Sequence, residues 1–93
     1  MDLQNKIVSV IGLGKTGIAT ANFLILQGAR VSIMDNKTQE QLSDLAGELL
    51  PAVEVSYRNC TPLPESKLVV ISPSVNKNAE FLQSSREKGT EII

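Results

Sequence analysis

The stretch Lys6-Ile-Val-Ser-Val-Ile-Gly-Leu-Gly-Lys-Thr-Gly17 decides the fold. Its first half, Lys6 to Ile11, is a strand apolar on both faces, the pattern of a parallel strand covered by helices on either side. Its second half, Gly12 to Gly17, fits G-x-G-x-x-G. That pattern is weak alone, but here it directly follows a strand, opens a helix and sits in the first βαβ unit. Each glycine then has a physical role. Gly12 permits the tight turn, Gly14 lets a ligand approach the backbone, and Gly17 allows close packing of helix on strand. The N–H groups around Lys15 to Ile18 are available to a phosphate, and the helix dipole adds favourable charge. Thr16 offers a hydroxyl and Lys15 a nearby positive charge.

Outward from this unit the chain alternates β-branched runs with helical stretches. The first helix is expected over Thr16 to Gln27, with Gly28 as its C-terminal cap. Ile18 to Leu26 is apolar apart from Thr20 and Asn22, which predicts cover on more than one side. Arg30 to Met34 is the second strand and ends at Asp35. Asp35-Asn36-Lys37 is a polar turn. Thr38 and Gln41 have the spacing of a capping box. The helix after them carries Leu42, Leu45, Ala46, Leu49 and Leu50 at amphipathic spacing and is expected to end at Pro51. Val53 to Tyr57 reads as a third strand, Arg58 to Ser66 as loop, and Lys67 to Ile71 as a fourth strand followed by Ser72-Pro73-Ser74. A helix is expected over Asn78 to Lys88, with Asn78 as N-cap and Gly89 as stop. Thr90 to Ile93 begins a fifth strand. The expected architecture is an α/β fold: an open, mostly parallel, five-stranded Rossmann-like sheet with helices on both faces and right-handed crossovers. A chain that stops on a strand is expected to be the first domain of a longer protein, here residues 1–93.

The composition bounds what such a domain can do. The 93 residues are 42% hydrophobic and 20% charged, the balance of an ordinary globular domain. Nine basic and ten acidic residues give a net charge of −1, and the aromatics are only Phe23, Tyr57 and Phe81. This argues against nucleic acid, which calls for excess basic charge or stacking platforms. One cysteine, Cys60, rules out an internal disulfide, and the absence of histidine removes imidazole as a base or zinc ligand. No apolar run approaches the ~20 residues that span a membrane. The N-terminus is too polar for a signal peptide, so a cytoplasmic location is the expectation.

Three features converge on a diphosphate-containing nucleotide. One is the glycine turn. The second is Asp35, 21 residues beyond Gly14 at the end of the second strand, where an acid can accept hydrogen bonds from a ribose; the alternative is an Asp that caps the turn before Thr38. The third is Ser72-Pro73-Ser74, expected beside the first strand at the point where strand order reverses. None of them supplies chemistry. Glu40, Asp44 and Glu48 form a solvated row, Cys60 reads as inert, and there is no ATP loop of the G-x-x-x-x-G-K-[ST] kind.

Three segments carry a family resemblance: Lys6 to Gly17, Val31-Ser-Ile-Met-Asp35, and Leu68-Val-Val-Ile-Ser-Pro-Ser74, with Gly89-Thr-Glu-Ile92 after them. Together they resemble the N-terminal domain of the Mur ligases, in particular the D-glutamate-adding type of peptidoglycan synthesis. The resemblance implies a domain that holds the UDP part of UDP-N-acetylmuramoyl-L-alanine. Gly14, Lys15, Thr16 and Gly17 would meet the diphosphate, Asp35, Asn36 and Lys37 would surround uracil and ribose, and Ser72, Pro73 and Ser74 would close the other side. It further implies that ATP and magnesium are bound by a central domain, and D-glutamate by a third, both outside this chain. The chain alone is then expected to be a monomer that binds and does not catalyse, its partners being the UDP-linked substrate and the remaining ligase domains. Two departures stand out. Ser74 replaces a usual glycine, and Asn36-Lys37 replaces a common Thr-Arg, which keeps the charge but not arginine's planar fork. On the glycine turn and Asp35 alone, the NAD-binding domain of an oxidoreductase, or a regulatory domain of a transporter binding NAD or ATP, fits equally well.

Overall fold

The computed structural model describes residues 2–93. Its elements, in chain order, are β1 (Ile7–Ile11), α1 (Lys15–Leu26), β2 (Arg30–Asp35), α2 (Gln39–Ala46), β3 (Glu54–Tyr57), β4 (Leu68–Ile71), a 3-10 turn over Glu80–Leu82 running into α3 (Gln83–Glu87), and β5 (Glu91–Ile92). All five strands are parallel, in the order β3-β2-β1-β4-β5. The fold class and all five strands are those expected from the sequence, with ends shifted by a residue or so. The chain leaves β1 toward β2 and leaves β4 toward β5, so strand order reverses between β1 and β4, and a crevice opens at their carboxyl ends.

Side chains alternate across the sheet, as a period of two requires. Val8, Val10, Val31, Ile33 and Leu68 pack with Ile18, Ala21 and Leu24 of α1 and Leu42 of α2. Ile11, Met34 and Val69 point to the opposite face, where Leu82 meets them. That second face has no helix between β3 and β4. The crossing segment 58–67 covers it instead, held by a polar pin: Leu63 N–H donates to Ser9 Oγ at 3.0 Å, and Ser9 Oγ lies 2.6 Å from Ser66 Oγ. Ser9 is fully buried in the middle of β1. A serine is stable there because its hydroxyl satisfies the loop's backbone.

Helix ends follow glycine chemistry. Gly28 has φ +88, with Gly28 N–H donating to Ile25 O and Ala29 N–H to Leu24 O, which is a Schellman motif. Gly89, at φ +75, closes α3 the same way, with Gly89 N–H on Arg86 O and Thr90 N–H on Ser85 O. The capping box at the start of α2 is also present: Gln41 N–H donates to Thr38 Oγ1, and Thr38 N–H to Gln41 Oε1.

Three expectations are corrected. The second helix ends at Ala46, not at Pro51. Beyond it the chain tightens, with Glu48 N–H on Leu45 O and Leu49 N–H on Ala46 O. Leu49 and Leu50 still reach the core from this turn. The helix expected over Asn78 to Lys88 is only a 3-10 turn and five α-helical residues, and Asn78 does not cap it. Asn78 N–H donates to Asn76 Oδ1, while the Arg86 guanidinium takes up Lys77 O and Ala79 O, so side chains rather than helical bonds order this segment. Finally, α1 is covered on one side only: Phe23 is 57% and Leu26 75% exposed. Its polar Asn22 clasps the chain after α2, donating to Glu48 O at 3.0 Å and accepting Leu50 N–H at 2.8 Å. Among the described residues no helix is long and apolar enough to cross a membrane.

Replacing Ser9 by Ala strands the Leu63 N–H and the Ser66 hydroxyl together. The expected loss is about 1–3 kcal/mol of stability, read as a lower urea midpoint at unchanged m-value. A midpoint indistinguishable from the parent would show that the pin contributes nothing.

Candidate functional site

A cleft of about 310 Å³ lies at the carboxyl ends of β1, β2 and β4. Gly12, Leu13 and Gly14 form one wall, Asp35, Asn36 and Lys37 a second, and Ser72 and Ser74 a third, with Ile11, Cys60 and Val75 completing the lining. Of the residues expected at the site, Gly14, Asp35, Asn36, Lys37, Ser72 and Ser74 line this one space. Lys15, Thr16, Gly17 and Pro73 adjoin it in the chain without lining it.

The three glycines behave differently. Gly12 has φ +106, and a Cβ on it would lie 2.7 Å from the Ser72 Cβ, so both its conformation and the closeness of the β4 turn call for glycine. A Cβ on Gly17 would run into the carbonyl oxygen of Gly12. Gly17 therefore lets the first turn of α1 sit directly on the glycine turn. Gly14 is unlike both. It has ordinary extended backbone, and a Cβ there would meet nothing within 4 Å. The protein's own packing gives no reason for a glycine at position 14; the space beside it is open.

Gly14 is also the N-cap of α1, and it offers no side chain to the helix. The first bond of the helix runs from Ile18 N–H to Gly14 O. The N–H groups of Lys15, Thr16 and Gly17 precede it and lie where α-helical geometry supplies no partner. No acidic residue stands in the first turn. The positive end of the helix dipole thus has no counter-charge from α1 itself.

The opposite wall is tightly tied. Asp35 Oδ2 accepts Leu13 N–H at 2.8 Å, and Asp35 Oδ1 accepts Lys37 N–H at 2.9 Å. The backbone of 35–37 is held from its other side by Asn59 N–H on Asp35 O and Arg58 N–H on Lys37 O. Asp35 thus acts as a turn cap, the alternative reading of it in the sequence, and it additionally grips the glycine turn. On the third wall, Ser72 N–H donates to Ile11 O, joining the turn to β1. The Ser72 and Ser74 hydroxyls are 3.1 Å apart, and Ser74 N–H reaches Ser72 Oγ at 3.4 Å.

Sequence reasoning missed Cys60 as a wall of the cleft, because its position depends on where segment 58–67 crosses the sheet. Its thiol is half-buried. Burial and the nearby Asp35 charge push its pKa up, against a smaller opposing pull from the Asn36 backbone N–H. Both effects disfavour the reactive thiolate.

A family model described as "Mur ligase MurD-like, N-terminal domain" matches residues 6–93. The UDP-N-acetylmuramoylalanine–D-glutamate ligase of Koribacter versatilis is 38% identical over 96 residues, covering 100% of this chain and 21% of that protein. The protein of the same name from Bdellovibrio bacteriovorus is 35% identical over 94 residues, covering 98% of this chain and 20% of that protein. The chain thus spans about one fifth of the length of these relatives. Among solved structures, SirC, a precorrin-2 dehydrogenase, superposes with a TM-score of 0.64 at 14% identity, over 99% of this chain and 45% of that one. Shikimate dehydrogenase from Aquifex aeolicus does so at 0.64 and 21%, over 98% and 42%. At these identities the dehydrogenases share the fold alone.

Two substitutions separate the glycines by stability. Gly17→Ala is expected to lose about 1–3 kcal/mol through overpacking, whereas Gly14→Ala stays within about 0.5 kcal/mol of the parent. Urea unfolding of both variants checks this, and a large loss from Gly14→Ala would contradict the open space beside it. For Cys60, the rate of iodoacetamide alkylation should rise with pH along a curve displaced above that of an exposed cysteine peptide. A curve displaced to lower pH would contradict the burial and charge argument.

Proposed function

The chain belongs to the MurD-like N-terminal domain family of the Mur ligases, and from that premise we propose that its cleft takes the UDP part of UDP-N-acetylmuramoyl-L-alanine. One observation carries the reading. An uncapped helix N-terminus, with open space beside Gly14, shares one cleft with the 35–37 turn and the Ser72–Ser74 turn at the switch point between β1 and β4. A diphosphate is the group that free helical N–H groups and serine hydroxyls suit. Lys37 contributes positive charge at the rim, and Asp35 and Asn36 offer acceptors and donors to a nucleoside. Lys15, Thr16, Gly17 and Pro73 complete the site as neighbours that aim the backbone.

The chemistry would belong to a longer protein, in which these residues hold a substrate. The activity proposed for that longer protein is the one in the relatives' name, the ligation of UDP-N-acetylmuramoylalanine with D-glutamate. ATP and magnesium would bind outside these 93 residues, and the remaining ligase domains are the partners in the same chain. In this reading the 93-residue chain binds UDP and forms no ADP from ATP.

Titration of the chain with UDP, followed by amide NMR shifts, tests the proposal. Shifts are expected at Gly14 to Ile18, at Asp35 to Lys37 and at Ser72 to Ser74, and only weak ones with NAD. Lys37→Ala, which removes one charged contact, should weaken UDP by about tenfold. Gly14→Ala should weaken it while the fold stays intact. Shifts confined to NAD, or absent from the glycine turn with UDP, would sink the reading.

A further inference from the structure

Asp35 sits in a cleft read as an anion site, yet it carries a negative charge into it. Its two carboxylate oxygens are spent on different walls: Oδ2 on Leu13 N–H at 2.8 Å, Oδ1 on Lys37 N–H at 2.9 Å. The Leu13 side chain is buried at 3% exposure, so the residue is held by its body while its N–H is held by Asp35. The peptide before it belongs to Gly12, which stands at φ +106 and is free of a Cβ that would restrict it. Gly12 N–H is taken by Met34 O at 2.8 Å, one residue before Asp35. The end of β2 thus grips both consecutive N–H groups of the glycine turn, one through a backbone carbonyl and one through a side chain. Directly after Leu13 comes Gly14, the N-cap of α1, whose orientation sets where the free helical N–H groups point.

Building on the nucleotide reading above, we propose that Asp35 is a positioning residue whose carboxylate clasps the glycine turn to the 35–37 turn and so sets the anion-binding geometry of the cleft before a ligand arrives. Each oxygen of a carboxylate has a second lone-pair direction, so the clasp leaves room for a nucleoside donor as well. The two halves of the cleft, phosphate side and nucleoside side, then move as one unit.

The sign of one effect separates this from a purely electrostatic role. Asp35→Asn removes a negative charge from beside an anion. Charge alone predicts that the variant binds inorganic pyrophosphate more tightly. The clasp predicts the opposite, because Asn puts an NH2 donor where one carboxylate oxygen stood, so one of the two N–H groups loses its acceptor. The expected result at fixed ionic strength is pyrophosphate affinity about fivefold or more weaker, and exchange of the Leu13 or the Lys37 amide in the ligand-free chain about tenfold or more faster. Pyrophosphate binding equal to or tighter than the parent's, or unchanged exchange at both Leu13 and Lys37, overturns the proposal.

Should the variant fail to fold, the parent chain still decides. A scalar coupling across the hydrogen bond between the Leu13 nitrogen and the Asp35 carboxylate carbon is expected, and its absence overturns the clasp. If the parent chain responds to neither UDP nor pyrophosphate, the nucleotide reading fails, whereas the Leu13–Asp35 coupling still supports or overturns the clasp by itself.

Discussion

The carboxyl edge of the sheet depends on how closely α1 approaches the turn that precedes it. Gly17 has no side chain, so its helical turn rests on the Gly12 carbonyl. Gly12 in turn has no side chain, so the β4 turn can bring Ser72 against it. These two contacts seat the helix on the glycine turn and bring the distant β4 turn against it. Any Cβ at either place pushes the helix N-terminus or the serine turn outward and opens that side of the cleft. The rest of the sheet could tolerate such a shift, since its cores lie below the strand ends. The cleft could not, because its groups act only when they face a common space.

Much of this was legible from sequence because it rests on local rules. The apolar strand from Lys6, the glycine spacing, the Thr38–Gln41 capping box and the stops at Gly28 and Gly89 are all short-range signals, and all are present in the fold. What was illegible depended on contacts between distant segments. The end of α2 at Ala46 follows from a tightened turn that Asn22 holds from another helix. The Leu49–Leu50 pair looked helical since it faces the core at the right spacing, and a compact turn places it there equally well. The third helix fails before Glu80 because Arg86 engages the carbonyls of Lys77 and Ala79. Ser9 carries no signal of its own within an apolar strand; its role is set by Leu63 and Ser66, which lie above it.

The same division applies to the site. The glycine turn, the acid ending β2 and the turn after β4 were visible as motifs, and the sheet order supplied their meeting point. Asp35 is the instructive case. The motif logic reads it as a ligand group, and the turn logic reads it as a cap. The geometry shows a capping bond to Lys37 N–H together with a second bond to Leu13 that neither reading contained. That second bond spans 22 residues, so no local rule could anticipate it.

The fold by itself does not choose a ligand. Dehydrogenases of the same architecture superpose on nearly the whole chain, and a glycine turn with an acid after the second strand is also the general pattern of dinucleotide-binding sheets. The residues after β4 bear on the phosphate side of the cleft, which a nucleoside diphosphate and a dinucleotide share. Ser72 Oγ accepts Ser74 N–H and lies 3.1 Å from Ser74 Oγ. Either hydroxyl can donate to the other, and the pair keeps one further O–H to donate. The Ser74 hydroxyl thus has a partner within its own turn. A donor on each side of a narrow cleft suits a group with oxygens on both sides, as a diphosphate has.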